Sequence, residues 1–187
     1  MEWRDCMKEE GKKILGEERR EKLLSLLQES HSPITGSELA KKTGVSRQVI
    51  VGDINLLKAR NIPIMATSQG YLYIRPAQDN FLIEKTIVCS HSRSQTKEEL
   101  NILVDHGITV KNVAIEHPIY GDLTASLMVS NRKEVEHFLN KVKLTNSSLL
   151  ADLTSGIHLH TLAAPSNEAI EKAEKELKAA GILVDEN

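Results

Sequence analysis

Two helix-forming stretches, separated only by Gly44 and Val45, constrain the fold of this chain more than any other feature. The first stretch, SELAKKTG, begins at Ser37, which can cap a helix N-terminus, and ends at Gly44, as helices commonly end at glycine. The second stretch, RQVIVGDINLLKARN, follows Ser46, another good N-terminal cap. Two short helices joined by so short a turn predict a helix-turn-helix, whose second helix enters the major groove of DNA.

A preceding helix and a following hairpin complete this segment. Residues 17–29 (EERREKLLSLLQE) place their leucines at helical spacing, with charges around them. After the helix-turn-helix, IPIMATSQGYLYI contains two β-rich runs around residues 68–70, which is typical of a β-hairpin. The order helix, helix-turn-helix, hairpin predicts a winged helix-turn-helix over residues 17–75, in which the hairpin is the wing.

The second helix of the motif supplies the side chains that we expect to contact DNA. Its apolar residues Val49, Ile50, Ile54 and Leu57 are predicted to face inward. Arginine can bind guanine through two hydrogen bonds, glutamine or asparagine can bind adenine, valine can contact a thymine methyl, and lysine or serine suits phosphate. The candidate DNA-binding residues are Ser46, Arg47, Gln48, Val51, Asn55 and Lys58, with Lys41 and Lys42 on the preceding helix as backbone contacts.

Three further observations bear on this helix. Gly52 in mid-helix costs about 1 kcal/mol relative to alanine, which a close approach of its backbone to DNA would explain. Asp53 has the wrong charge for phosphate, and we expect it to pair with a neighbouring arginine or lysine. The alternative is that Arg47 and Gln48 form an ordinary solvated first turn.

The net charge of −2 over the whole chain does not support DNA binding, but the charges are unevenly distributed along the sequence. Residues 17–75 hold nine lysines and arginines against six acidic residues, whereas residues 81–187 hold eleven against fifteen. The positive balance therefore lies where the DNA-binding motif lies. This support is weak, because many solvated domains carry a small positive charge.

The remaining bulk features indicate a cytoplasmic protein. No apolar run approaches the roughly 20 residues that a membrane helix needs, and the N-terminus lacks the apolar core of a signal peptide. The two cysteines, Cys6 and Cys89, form no disulfide framework. We expect a flexible tail over residues 1–16, and a linker over residues 76–80 (PAQDN) that leads into a regulatory domain over residues 81–187.

Residues 81–187 alternate strand-like and helix-like segments. KTIVCSH, VKNVAIEHPIYG, LTASLMVS and GIHLHTLAA resemble strands, whereas TKEELNILVDHG, NRKEVEHFLNKVK and SNEAIEKAEKELKAAG show helical periodicity. Strands and helices in this order predict an α+β fold, an open sandwich with helices packed on a sheet.

Histidines in this second half indicate a metal site. His158 and His160 lie two apart in a predicted strand, so both imidazoles point to one face, as a chelate needs. The alternative is that both face solvent on an edge strand. His91, at the end of a strand, and Glu99, on the next helix, offer a third and a fourth ligand. From its spacing alone, however, Glu99 is better explained as a capping-box partner of Thr96.

Several blocks resemble a known family. TIVCSHSRSQTKEEL, HPIYGDLTASLMVSNRKEVEHFL and LLADLTSGIHLHT are similar to successive blocks of the three-histidine domain, and LAKKTGVSRQVIVGDINLL with GYLYI resembles the winged segment of biotin-repressor-like regulators. The combination resembles the niacin-responsive repressors of NAD biosynthesis genes. That resemblance implies an HPr-like second domain, a homodimer, nicotinic acid as co-repressor, and a divalent transition metal held by His91, Glu99, His158 and His160.

The implied ligand set leaves the identity of the metal open. Three imidazoles and a carboxylate suit zinc, nickel, cobalt or iron. Four protein ligands would close a tetrahedral zinc site, whereas higher coordination would leave room for a pyridine acid. Near the ligands, Arg93, His117 and Tyr120 are candidates for binding the co-repressor, and Cys89 is either a further metal ligand or, more in keeping with its apolar surroundings, a buried thiol.

Three functions compete at this point. The first is a co-repressor-controlled repressor of NAD biosynthesis or niacin uptake genes, and the second is a regulator for which the metal itself is the signal. The third is a metal-dependent enzyme with a DNA-binding appendage, in which Glu98 would serve as general base. Because the sequence contains no glycine-rich phosphate loop and no nucleophile paired with a base, we predict that the protein is not an enzyme.

Overall fold

The computed structural model describes residues 16–74 and 82–184. The described chain forms two compact units, one of residues 16–65 with 70–74 and the other of residues 66–69 with 82–184. Apart from residue 16, the predicted tail lies outside the described residues, and so does the predicted linker over 76–80. Among the described helices, none combines the length and the apolar character that crossing a membrane requires.

Three helices and a hairpin follow the order that the sequence predicts. Helix α1 spans Gly16–Glu29, α2 spans Gly36–Thr43 and α3 spans Arg47–Ala59, and strands β1 (Ile64–Ala66) and β2 (Tyr71–Tyr73) form a two-stranded sheet. Apolar side chains from all three helices and β1 form one core. Its fully buried members are Leu23, Leu27, Leu39, Ile50 and Ile54.

The helix caps agree with the sequence at two positions and differ at one. Gly44 ends α2 with a left-handed φ of 68°, and the Ser46 side chain accepts a hydrogen bond from the Val49 amide at the start of α3. Ser37, however, does not cap α2. Thr35 is the cap, because Glu38 three residues later accepts from the Thr35 amide at 2.9 Å and completes a reciprocal capping box.

The inward face of α3 also differs from the prediction at one position. Val49 is 38% exposed, whereas Asp53 is 3% exposed and faces inward beside Ile54. The charge of Asp53 is tolerated there because Arg19 Nε and Arg20 Nη1 on α1 lie 2.6 and 3.3 Å from its carboxylate oxygens. The expected pairing of Asp53 with arginine is therefore confirmed.

The second unit is the α+β open sandwich that the sequence predicts. In chain order its elements are β3 (Ile83–Ser90), α4 (Thr96–Asp105), β4 (Thr109–His117), β5 (Gly121–Val129), α5 (Arg132–Thr145), β6 (Ile157–Ala164) and α6 (Asn167–Ala179). The four strands form one antiparallel sheet in the order β3-β6-β4-β5. Short 3₁₀ helices precede α4 and β6.

The strand register directs both histidines of β6 into the core side of the sheet. His158 lies opposite Cys89 and His160 lies opposite Ile87 on β3, and both β3 residues belong to the core that the helices cover. The two histidines are 3% and 2% exposed. Because β6 is an inner strand of the sheet, the alternative of two solvent-facing histidines on an edge strand is wrong.

Candidate functional site: a histidine cluster beside a cavity

Four side chains from three elements converge inside the second unit. His158 and His160 come from β6, His91 directly follows β3, and Glu99 projects from the first turn of α4. The carboxylate oxygens of Glu99 lie 2.8 Å from Nε2 of His91, 3.0 Å from Nε2 of His158 and 3.3 Å from Nε2 of His160. The structure thus brings together all four residues of the predicted ligand set.

The opposite nitrogen of each imidazole faces a backbone carbonyl. Nδ1 of His91 lies 2.9 Å from Ser92 O, Nδ1 of His158 lies 2.8 Å from Gly156 O, and Nδ1 of His160 lies 2.6 Å from Asn112 O. A carbonyl oxygen can only accept, so these contacts assign the N–H to Nδ1 in each ring. In the neutral imidazoles, Nε2 then carries a lone pair, which is the form that binds a metal.

With the hydrogen on Nδ1, the Nε2 lone pair of each of the three imidazoles faces the carboxylate of Glu99. Contacts at 2.8 to 3.3 Å between acceptors are unfavourable unless a positive species stands between them. A divalent metal can supply that charge, and protons on the imidazoles can supply it when no metal is bound. The donor set of three imidazoles and one carboxylate therefore fits a transition metal.

In the metal-free protein, the electrostatics of the cluster favour protons on the imidazoles as the positive species beside Glu99. Burial raises the pKa of Glu99, but the charge of His160 and hydrogen bonds from the three imidazoles outweigh it and hold that pKa well below its usual range. For His91 and His160, burial lowers the pKa, but Glu99 outweighs it and the net pKa of each is raised. Metal binding must therefore displace protons.

Two backbone features hold the imidazoles in place. Gly156, at φ 100°, leaves no space for a side chain, since a Cβ there would lie 2.3 Å from the His91 carbonyl oxygen. Strand β4 has a register shift between Val110 and Asn112, and the Asn112 carbonyl next to this bulge is the one that faces His160. Both features place a backbone carbonyl against an imidazole.

The predicted capping role of Glu99 is wrong. Helix α4 continues directly from the 3₁₀ turn over Arg93–Gln95, and the residue at its N-cap position, Gln95, makes no side-chain capping hydrogen bond. Because the chain already turns before Thr96, the carboxylate of Glu99 is not needed at the helix N-terminus. It is 1% exposed and faces the histidines instead.

Cys89 lies at the edge of the same cluster. It is fully buried, and its Sγ, a Glu99 oxygen and a His158 ring nitrogen all lie within 4.8 Å of one another. Burial raises the pKa of the thiol, and the charge and hydrogen bond of Glu99 raise it further, so the group is a neutral S–H donor. The predicted burial of Cys89 is therefore confirmed, and its Sγ belongs to a group of three donor atoms close enough together to bind a metal.

A cavity of about 280 Å³ opens beside the histidine cluster. Its walls come from apolar side chains of α4, β4, β5 and α5, and its polar groups come from the histidine cluster, α5 and the segment that follows α5. The lining residues include His91, Glu99, His158, His160, Leu100, Val113, Ala125, Leu127, Phe138, Lys141, Val142, Thr145, Ser147, Ser148, Leu149, Leu150 and Ala151.

The three residues predicted to bind a co-repressor do not line this cavity. Arg93 donates to the Ser147 carbonyl at 2.9 Å and lies 3.3 Å from an Asp152 oxygen. His117 Nδ1 accepts from backbone amides in the β4–β5 turn, where Tyr120 is 73% exposed. Glu98, the general base of the enzyme alternative, is also exposed.

Sequence reasoning missed the face of α5 that lines the cavity. Phe138, Lys141, Val142 and Thr145 recur at intervals of three and four residues, so they share one face of the helix. Only Val135 of this helix is buried, although Phe138 packs against the core. The sequence signal was the row of apolar residues at helical spacing on α5, which continues through Phe138 and Val142 beyond its one buried residue, Val135.

The candidate DNA-binding residues lie largely at the surface of the first unit. Val51 and Lys58 are half-buried, whereas the others, namely Ser46, Arg47, Gln48, Asn55, Lys41 and Lys42, are exposed. A Cβ added at Gly52 would meet no atom within 4 Å, so packing within the described chain does not require glycine at this exposed position.

Comparison with known proteins identifies both halves of the chain. Residues 84–186 match the 3H domain family, and residues 19–72 match an HTH domain family. The transcription repressor NadR of Bacillus subtilis is 56% identical over 173 residues, which cover 92% of this chain and 96% of that protein. The probable transcription repressor NiaR of Thermotoga maritima is 35% identical over 174 residues, covering 93% of this chain and 98% of the relative.

Proposed function

Because this chain belongs to the NadR/NiaR family of transcription repressors, we propose that it represses genes of NAD biosynthesis or niacin uptake, with nicotinic acid as co-repressor. An HTH domain followed by a 3H domain makes it a DNA-binding regulator with a separate unit available for sensing. The observation that carries the sensing proposal is the convergence of three imidazole Nε2 atoms on Glu99 beside a cavity.

The sensing site would hold a divalent transition metal of the class of zinc, nickel, cobalt or iron. Nε2 of His91, His158 and His160 and the carboxylate of Glu99 are the donors that would bind it. The metal would supply a Lewis-acid position that a carboxylate or a ring nitrogen can occupy. Each imidazole is already oriented by its Nδ1 contact, which supports a preformed site.

The cavity suits a small aromatic acid such as nicotinic acid. Its volume of about 280 Å³ lies just below the range of drug-sized ligand pockets, which begins at about 300 Å³. Leu100, Leu127, Phe138 and Val142 offer apolar contacts to a flat ring, while the histidine cluster offers the polar end. A ligand of this kind would contact both the proposed metal and α5.

DNA would be bound by α3. We assign base contacts to Arg47, Gln48, Val51 and Asn55, and phosphate contacts to a second group of side chains. That second group is Ser46, Lys58, Lys41 and Lys42. In a homodimer, two copies of α3 would read two half-sites of one operator in the cytoplasm. Binding of the co-repressor would favour the dimer conformation that fits both half-sites.

Titration of a regulated promoter fragment tests the proposal. With metal present, nicotinic acid should tighten specific DNA binding by roughly 5- to 150-fold, the usual size of a coupling between two sites. His158→Ala should abolish this response, whereas the matched variant His137→Ala, at an exposed position of α5, should keep it. Equal DNA affinity with and without the acid would remove nicotinic acid as co-repressor.

The same titration separates the second candidate, a regulator that responds to metal alone. The buried histidine cluster favours this candidate as well, because it needs no organic ligand. Tight DNA binding that appears on adding metal and disappears with a chelator, without any effect of nicotinic acid, would support the metal-responsive function in place of the first.

A further inference from the structure

The carboxylate of Glu99 needs a hydrogen-bond donor that the histidines cannot provide when a metal is bound. Each Nε2 would then give its lone pair to the metal, so none of the three imidazoles would donate to Glu99. Glu99 is only 1% exposed, and water is therefore not a ready substitute. A buried carboxylate oxygen without a donor is costly, and a ligand with a free side chain is poorly oriented.

Cys89 is placed to fill this need. It lies on the helix-covered face of β3, directly opposite His158 on β6, and its Sγ lies within 4.8 Å of both a Glu99 oxygen and a His158 nitrogen. The thiol is a hydrogen-bond donor beside Glu99 that does not belong to the three imidazoles proposed to bind the metal. We infer that Cys89 is a positioning residue whose S–H holds the Glu99 carboxylate toward the three Nε2 atoms.

The placement favours this role over direct coordination by sulfur. A cysteine Sγ is one bond from Cβ, whereas the Nε2 of a histidine lies at the far end of its ring. Because Cys89 and His158 start from opposite positions of paired strands, we expect the thiol to lie closer to the sheet than Nε2 of His158 does. Cys89 is also not part of the cavity wall, which Glu99 and the histidines form at this end.

The experiment rests on the proposed metal site and uses the full chain with Zn²⁺ and Co²⁺ as probes. Cys89→Ser keeps an O–H donor, whereas Cys89→Ala and Cys89→Val remove the donor, the second with little loss of volume. Ile87→Val is the matched control, because Ile87 occupies the same strand face and is buried but offers no hydrogen-bond donor. All variants carry Cys6→Ser, which removes the other thiol of the chain.

Competition with a chelator should show Zn²⁺ affinity lowered by about 10- to 100-fold in Cys89→Ala and Cys89→Val, the usual cost of losing a hydrogen bond to a metal ligand. Cys89→Ser and Ile87→Val should stay close to the parent. The Co²⁺ absorption spectrum of the parent should contain no sulfur-to-cobalt charge-transfer band. Circular dichroism of the metal-free variants reports whether each one folds. If Cys89→Ala does not fold, the comparison uses Cys89→Val.

Three results would contradict the inference in different ways. A charge-transfer band that Cys89→Ser removes would make the thiol a direct ligand. Unchanged Zn²⁺ affinity in Cys89→Val would show that no donor is needed at this position. A parent protein that binds neither probe would remove the metal site itself, and this inference with it, whereas the first two results leave that site intact.

Discussion

At the scale of single residues, the proposed sensing site depends on backbone carbonyls more than on other side chains. The carbonyls of Ser92, Gly156 and Asn112 fix which nitrogen of each histidine carries hydrogen, and so determine what the other nitrogen can bind. Substitution cannot remove a carbonyl, but it can displace one. A substitution at Gly156 would displace such a carbonyl most directly, because the Gly156 carbonyl faces His158 and also accepts a hydrogen bond from the His91 amide at 3.4 Å.

We predict that Gly156→Ala destroys the site. A Cβ 2.3 Å from the His91 carbonyl oxygen cannot be accommodated without moving the backbone of a proposed metal ligand, and φ at 100° adds strain. The free energy of unfolding should fall by at least about 2 kcal/mol, and Zn²⁺ binding should be lost. Gly107→Ala is the control, because φ there is 73° but no atom lies within 4 Å of the added Cβ. Chemical denaturation with and without Zn²⁺ measures both effects. Equal losses of unfolding free energy in Gly156→Ala and Gly107→Ala would contradict the proposed steric clash.

Metal affinity should depend on pH in a definite direction. The pKa values of His91 and His160 are raised in the metal-free protein, so both protons must leave before Nε2 can bind a metal. Affinity for Zn²⁺ should therefore fall as the pH drops through those raised pKa values, about tenfold per pH unit for each proton displaced. Calorimetry in two buffers with different ionisation enthalpies measures the number of protons released. Zn²⁺ binding that releases no protons at any pH below neutrality would contradict the assignment.

At the scale of secondary-structure elements, the sequence predicted those features that depend on residues close together in the chain. The helix order, the caps at Gly44 and Ser46 and the succession of strands along the second unit follow from periodicity and turn chemistry, whereas the order of strands within the sheet does not. The inward turn of Glu99 did not follow, since its partner His158 is 59 residues away and a capping box explained the same local spacing. The bulge beside Asn112 arises from strand pairing and has no signal within β4 itself.

Helix α3 shows the same limit at Asp53, whose partners lie on α1. Asp53→Ala removes a buried carboxylate that contacts both Arg19 and Arg20, and should lower the free energy of unfolding by about 3 kcal/mol. Arg60→Ala, which breaks the exposed pair with Glu17 and leaves the contacts of Asp53 in place, should change it little. Urea unfolding of both variants provides the comparison. Similar losses would show that burial of the Asp53 cluster adds nothing.

Gly52 offers a test in which stability and function should move in opposite directions. Because no atom lies within 4 Å of a Cβ at this position, Gly52→Ala should stabilise α3 by up to about 1 kcal/mol. If the backbone there approaches DNA, which would explain a glycine in mid-helix, the added methyl should weaken operator binding at the same time. Thermal unfolding and a DNA titration measure the two effects. Unchanged DNA affinity would assign the glycine no role in recognition.

At the scale of the whole molecule, two compact units should respond differently to ligands. A metal that binds only the folded second unit stabilises it by about 2.7 kcal/mol at a free concentration of 100 times the dissociation constant. Calorimetric scans should therefore show a metal-dependent transition, which nicotinic acid raises further only when metal is present. A shift produced by the acid in the presence of a chelator would separate the acid site from the proposed metal.

The inner position of β6 has a consequence for how the second unit assembles. Strands β3 and β4 both pair with β6, which is the last strand of the sheet to leave the ribosome. These pairings span most of the unit, and contacts between positions so far apart in the chain form slowly. The proposed metal donors meet only when β6 enters the sheet, so metal cannot guide the earlier folding steps. A nascent chain that stops before β6 would contain the whole DNA-binding half while lacking two of the four residues through which the regulator is proposed to receive its signal.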